Sequence, residues 1–222
     1  MPPAARSRAI SIAILLYDRL TALDAIGPYD VLRRLPGAEV SFIAEQPGAK
    51  RAQGGALALI AERSLAELPH PDVVLVPGGV GQTALMDSEA IHEWLRGAHE
   101  ASRWTCAVCT GSLILAAAGL LAGRRATSHW LALEELGRLG ARPVSERVVF
   151  DGRIVTAAGV SAGIDMALAL AAELAGQEVA QAIQLAIEYD PQPPFDAGSP
   201  RKAPPALVQR ARAESRFAGG TR

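Results

Sequence analysis

The sequence predicts an α/β fold built on a layered, mostly parallel sheet. Three observations carry this. Apolar runs of strand length alternate with segments of helical pattern, several of those runs lack the in–out alternation of a half-exposed strand, and no internal repeat divides the 222 residues. Half of the chain is hydrophobic (50%), 20% is charged and the formal net charge is -1. That balance suits one domain over residues 1–222 and offers no basic surface for nucleic acid or an anionic membrane.

The first element is "ISIAILLY", a buried strand beginning at Ile10. Arginines precede it, as in a secretory signal. The run is far shorter than the ~20 residues of a membrane span, however, and Asp18 and Arg19 follow where a small-residue cleavage pattern would stand. The helix "GPYDVLRRL" comes next, and then "EVSFIAE", "ALALIAE" and "DVVLVPGG" as further strand-like runs, several of them buried and parallel. "SEAIHEWLRGAHEASR" forms a helix ahead of the strand "WTCAVC", and "SLILAAAGLLAG" a helix after it, stopped by Gly119 and Gly123.

In "RVVFDGRIVTA", Asp151-Gly152 lies between two β-rich runs, the signature of a hairpin whose turn needs positive φ at both central residues. An antiparallel ribbon therefore interrupts the alternation. Helices over "AGIDMALALAAELAG" and "QEVAQAIQLAIEY" follow. Residues 191–222 form a C-terminal arm: the stretch from Pro191 to Pro205 is too rich in proline for a packed element, and "ALVQRARAESR" makes a short terminal helix.

Cys106 and Cys109 are the only cysteines. Two in so long a chain make no disulfide framework, so a reducing compartment is expected. Their C-x-x-C spacing invites a redox or zinc reading. Residues three apart on a strand point to opposite faces, however, and zinc needs two more ligands, which His70, His92, His99 and His129 do not supply at suitable spacing. No metal is expected. Cys109 differs from Cys106 because it stands at the join of a strand and a helix opening with Thr110-Gly111-Ser112. A sharp turn there exposes a side chain above the sheet, Gly111 permits close backbone approach, and the helix N-terminus favours a thiolate. An inert buried cysteine fits that position equally well.

Five segments in order bear on this choice: "LTALDAIGPYDVL", "VLVPGG", "AVCTGSLILAAAGLLAGRRATSHW", "AAGVSAGIDMALALAAEL" and "PPFDAGSP". Together they resemble the PfpI-like superfamily of the class I glutamine amidotransferase fold, and within it the isonitrile hydratases. The resemblance implies a flavodoxin-like three-layer sandwich, a homodimer, and hydration of an isonitrile to an N-substituted formamide with no metal or organic cofactor; with the reducing compartment expected from the cysteines, the reading is a cytoplasmic enzyme. It also implies the site residues. Cys109 is the nucleophile, passing through a thioimidate, and Asp24 carries the proton in a pocket where the sulfur and burial raise its pKa. Without the resemblance, Asp24 would read as a helix cap.

Thr110 stands where hydrolytic relatives carry histidine; it can donate or accept a hydrogen bond but cannot act as a base. The N–H groups of Gly78 and Gly79, at a strand's carboxyl edge, are candidates to steady charge on the substrate, and Val160 is expected in the pocket wall. His129 reads as a structural residue. Two other classes share these patterns: glyoxalases, chaperones or oxidation sensors of the same superfamily, and the ligand-sensing domain of AraC-type regulators. The tail after Pro205 is too short for a helix-turn-helix domain, which favours a free-standing enzyme.

Overall fold

A computed structural model of the chain describes residues 9–218. Arg6 and Arg8, ahead of the first strand, lie outside the described residues, as do the ends of the range 1–222 read above as one domain. In chain order the strands are β1 (Ile10–Leu15), β2 (Ala38–Ala44), β3 (Gly48–Arg51), β4 (Ala58–Ala61), β5 (Arg63–Ser64), β6 (Val73–Val76), β7 (Trp104–Val108), β8 (Arg125–Ala126), β9 (Arg142–Pro143), β10 (Val148–Asp151) and β11 (Ile154–Ala157). The helices are α1 (Ala22–Leu32), α2 (Gln82–Met86), α3 (Glu89–Ala101), α4 (Gly111–Ala117), α5 (Leu133–Arg138), α6 (Ala162–Ala175), α7 (Gln177–Ala186) and α8 (Pro205–Ala213).

The main sheet runs β10-β11-β7-β6-β1-β2-β5, and every neighbouring pair is parallel except β10 with β11. Helices flank it: α1 and α7 pack on α6, while α2, α3 and α5 pack on α4. This is the flavodoxin-like layering that the sequence implies. β6 and β11 are buried along their whole length, as is β7 from Thr105 onward, because helices cover both faces. Each such valine or isoleucine contributes roughly 1.5–3 kcal/mol by leaving water.

From β1 the chain moves to β2 on one side and then returns to β6 on the other. A parallel sheet wound outward in both directions opens a crevice at the carboxyl ends where the order reverses. The ends of β1, β6, β7 and β11 lie in that region.

Three local expectations change. α1 begins at Ala22 with Thr21 as its N-cap, well before Gly27. Pro28 lies inside the helix and has no N–H to give to the Asp24 carbonyl, so the Gly-Pro pair marks an interruption of the helix rather than its start. The run "ALALIAE" does not join the main sheet: β4 pairs antiparallel with β3 in a separate ribbon, leaving Leu57 and Ile60 exposed. The predicted hairpin is present as β10–β11, but Asp151 is its last strand residue, paired with Ile154. Its turn is centred on Gly152-Arg153 and only Gly152 has positive φ, at 60°. The arm from Pro191 onward is exposed and irregular up to α8, which matches the predicted terminal helix.

Candidate active site

Cys109 follows the last residue of β7 with a φ of 58°, a left-handed conformation that costs a non-glycine residue energy. The surroundings over-determine it. Its N–H donates to the carbonyls of Ala157 (3.0 Å) and Ala158 (2.9 Å) at the end of β11. Its carbonyl accepts from the hydroxyls of Ser128 (2.9 Å) and Ser112 (3.0 Å). Gly111 is needed two residues further on, since a Cβ there would lie 2.1 Å from the Val76 carbonyl oxygen. The elbow expected from Thr110-Gly111-Ser112 is thus built from β7, β11 and the "TSHW" segment together.

The elbow aims the sulfur at Asp24, which lies in the first turn of α1 and is fully buried. Asp24 Oδ2 accepts the Gly78 N–H at 2.9 Å. Oδ1 is buried with no well-formed hydrogen bond, although the carboxyl and the Cys109 thiol are close enough to act on one another. An unfilled, buried acceptor on a carboxyl beside a thiol is able to take up and give back a proton.

Burial raises the Asp24 pKa from 3.8 to about 7, against the lowering effect of the hydrogen bonds from Gly78 and from Cys109. The sulfur therefore does not help to raise it, contrary to the sequence expectation; desolvation alone does. The thiol also behaves differently from expectation. Burial first, and then the Asp24 charge, push Cys109 up to about 12, while hydrogen bonds from the Val160 and Thr110 N–H groups pull it down without prevailing. A helix N-terminus does not compensate for desolvation here.

Gly78 and Gly79 have their amides engaged within the protein. The Gly78 N–H holds Asp24, and the Gly79 N–H donates to Thr110 Oγ1 at 3.0 Å. Gly78 must be glycine: a Cβ there would sit 2.6 Å from the Thr110 nitrogen and 2.9 Å from Asp24 Oδ2. Val160 has a φ of 21° and directs its N–H to the sulfur. It also lines a cavity of about 460 Å³, together with His129, Trp130, Gly159 and Pro200. Two larger hollows of about 610 Å³ each do not touch Val160. His129 is half-buried and accepts the Leu131 N–H at 3.4 Å; burial first, and then the charge of Arg216, lower its pKa.

The DJ-1/PfpI family model matches residues 10–173, a span that includes the elbow, the acid and the glycine pair. The chain belongs to the DJ-1/PfpI family. Isonitrile hydratase of Pseudomonas putida is similar to it, 46% identical over 204 residues that cover 92% of this chain and 89% of the relative. A THiJ/PfpI family protein from Pseudomonas syringae, solved by crystallography, superposes with a TM-score of 0.89 at 34% identity, covering 98% of this chain and 95% of that one. Drosophila melanogaster DJ-1beta superposes with a TM-score of 0.75 at 26% identity, over 82% of this chain and all (100%) of that one.

Around the elbow of this DJ-1/PfpI chain lie residues that sequence reasoning missed. The buried Tyr17 hydroxyl donates to the Pro77 carbonyl at 2.8 Å, and burial raises its pKa, with the charges of Asp24 and Cys109 adding to the effect. Gln82 is buried beside the Gly79 turn. Ser128 fixes the elbow carbonyl; its signal was the "TSHW" motif, which drew attention to His129 instead. Among the described residues, no helix is long and apolar enough to cross a membrane.

Proposed function

We propose that this protein hydrates isonitriles, R–N≡C, to N-substituted formamides by covalent catalysis at Cys109. The observation that carries the proposal is the pairing of a buried thiol with a buried carboxyl, without a histidine base between them. An isonitrile carbon accepts a nucleophile and a proton at the same atom, which a thiol–carboxylate pair delivers. The 46% identity to the Pseudomonas putida isonitrile hydratase supports the substrate class.

Above about pH 7 the pair holds one proton, on sulfur, with Asp24 as carboxylate. As the isonitrile carbon arrives, Asp24 takes the thiol proton and passes it to that carbon while the sulfur forms the C–S bond. The product is the thioimidate R–N=CH–S–Cys109. Water then adds to the carbon: Asp24 accepts a proton from the water and returns it to the nitrogen. Collapse of R–NH–CH(OH)–S–Cys109 breaks the C–S bond, and the hydroxyl proton passes through Asp24 to the departing sulfur. Formamide and the resting thiol remain, so one water is consumed and nothing is oxidised or reduced.

The N–H groups of Val160 and Thr110 meet the negative charge that the sulfur carries as each bond forms and breaks. Gly78 and Gly79 serve by holding Asp24 and Thr110 rather than by touching substrate. In this reading the R group extends from the sulfur towards the cavity that Val160 lines, whose walls include neither Cys109 nor Asp24. The protein is a cytoplasmic homodimer in this reading; Leu185 (81% exposed) and Phe195 (78% exposed) are available for a second copy, and light scattering at micromolar concentration tests the dimer. Formamide production from a small aryl isonitrile, with methylglyoxal consumption assayed in parallel, tests the activity. Formamide with no loss of methylglyoxal is expected; the reverse pattern overturns the reading in favour of a glyoxalase.

A further inference from the structure

The chain beyond α8 returns to the site. Arg216 donates to the Val80 carbonyl (3.1 Å), to the Gly79 carbonyl (3.4 Å) and to Gln82 Oε1, contacts that join positions 134 or more apart in sequence. Much of the residue is exposed, yet its bonds to Gly79 and Gln82 are partly buried. The turn it grips is not an arbitrary one. The Gly79 N–H orients Thr110, the preceding N–H orients Asp24, and the Thr110 N–H reaches the sulfur.

We propose that Arg216 is a positioning residue for the chemistry at Cys109: from the C-terminal segment it clamps the Gly79–Gln82 turn and so keeps Thr110 and Asp24 aligned with the sulfur. This rests on the reading of Cys109 and Asp24 given above. The guanidinium is also within electrostatic reach of the sulfur. The charges of Cys109 and Tyr17 act on it in one direction, Arg19 and its own desolvation in the other, and its field reaches His129. Negative charge forming on the sulfur is therefore opposed by a positive group that the tail brings in. Phe217, packed against the core beside it, holds the tail in place.

The test compares Arg216→Ala, Arg216→Lys and, as a control in the same segment, Arg212→Ala, which removes a cation lying over Trp130. All are made in the full-length chain. Two readouts are taken: kcat and KM with a small aryl isonitrile, and the pH dependence of Cys109 alkylation by iodoacetamide without isonitrile. Arg216→Ala is expected to lower kcat about ten-fold with KM within about two-fold, the scale of one lost hydrogen bond to a charged group. It also slows alkylation at pH 8 and moves the midpoint of its rise, which Asp24 sets near pH 7 as the acceptor of the thiol proton, to higher pH. Arg216→Lys recovers part of both effects, and Arg212→Ala changes neither.

Unchanged kcat and an unmoved midpoint in Arg216→Ala overturn the proposal. So does faster alkylation with an unmoved midpoint, which would make the tail only a cover. If wild type fails to hydrate isonitriles while the alkylation midpoint still moves in Arg216→Ala, the substrate reading fails and the positioning role stands.

Discussion

Cys106, inside β7, and Cys109, at its end, have the same side chain and lie on one short stretch of chain. Both are buried, and burial raises both thiols well above their ordinary range. Cys106 has only that desolvation acting on it. Cys109 adds a left-handed backbone, two amide donors to its sulfur, a carboxyl beside it and a guanidinium within electrostatic reach. The difference teaches that burial alone does not set the two sulfurs apart. In the chemistry proposed above, the reactivity of Cys109 comes from a partner able to take the proton when the carbon arrives, and the elbow brings that partner within range.

The largest expected effect breaks the comparison outright. Cys109→Ala should abolish formamide production, whereas Cys106→Ala should keep most of it and cost about 1 kcal/mol of stability for the lost buried volume. Comparable losses of activity from both would mean that the two sulfurs act together after all. Gly78→Ala comes next. The new methyl group would collide with Thr110 and Asp24, and displacing a catalytic group by about 1 Å costs on the order of 100-fold in kcat. Wild-type kcat in that variant would show that Asp24 need not be held where it is.

Acid–base behaviour sharpens the contrast. Below about pH 7 Asp24 is protonated and cannot accept the thiol proton, so kcat/KM should fall about ten-fold per pH unit on the acid side, with a midpoint near 7. A pH–rate profile flat between pH 5 and 8 would contradict this. The smallest effect is on stability. Asp24 has a folded pKa raised above its ordinary value, so ionising it penalises the native state progressively between about pH 4 and pH 7, and fully above that. Asp24→Asn removes the penalty, on the order of 4 kcal/mol at most. Its Tm should exceed that of wild type by several degrees at pH 8 and by less at pH 5, in a protein that has lost its activity. A lower Tm at pH 8 would mean that the carboxylate is stabilising.

Much of the fold was legible because buried parallel strands are continuous β-branched runs, as in "DVVLV", and because Ser88 caps α3 where its sequence pattern begins. The β3–β4 ribbon was not, since "ALALIAE" is as apolar as a core strand while its side chains stay partly exposed. Nor was the true start of α1, which Pro28 obscures. At the site, Cys109 and Gly111 could be read from a strand–helix junction. The Cys109 pKa could not, because helix position is visible in a sequence and the extent of desolvation is not. Arg216 and Gln82 left no sign at all: their contact depends on where a tail returns after an irregular arm, which no local periodicity encodes.

The central claim is that Cys109 bonds to the isonitrile carbon and that Asp24 supplies the proton traffic. The most direct measurement is acid-quenched, intact-protein mass spectrometry during turnover of a slow aryl isonitrile, followed by peptide mapping. Wild type should show an adduct of the whole substrate mass on the peptide carrying Cys109. Cys109→Ala should show none, and Asp24→Asn, with nothing to take the thiol proton, should show none on the timescale of turnover. Turnover by wild type with no adduct at any time, or formamide from Cys109→Ala, would contradict the account.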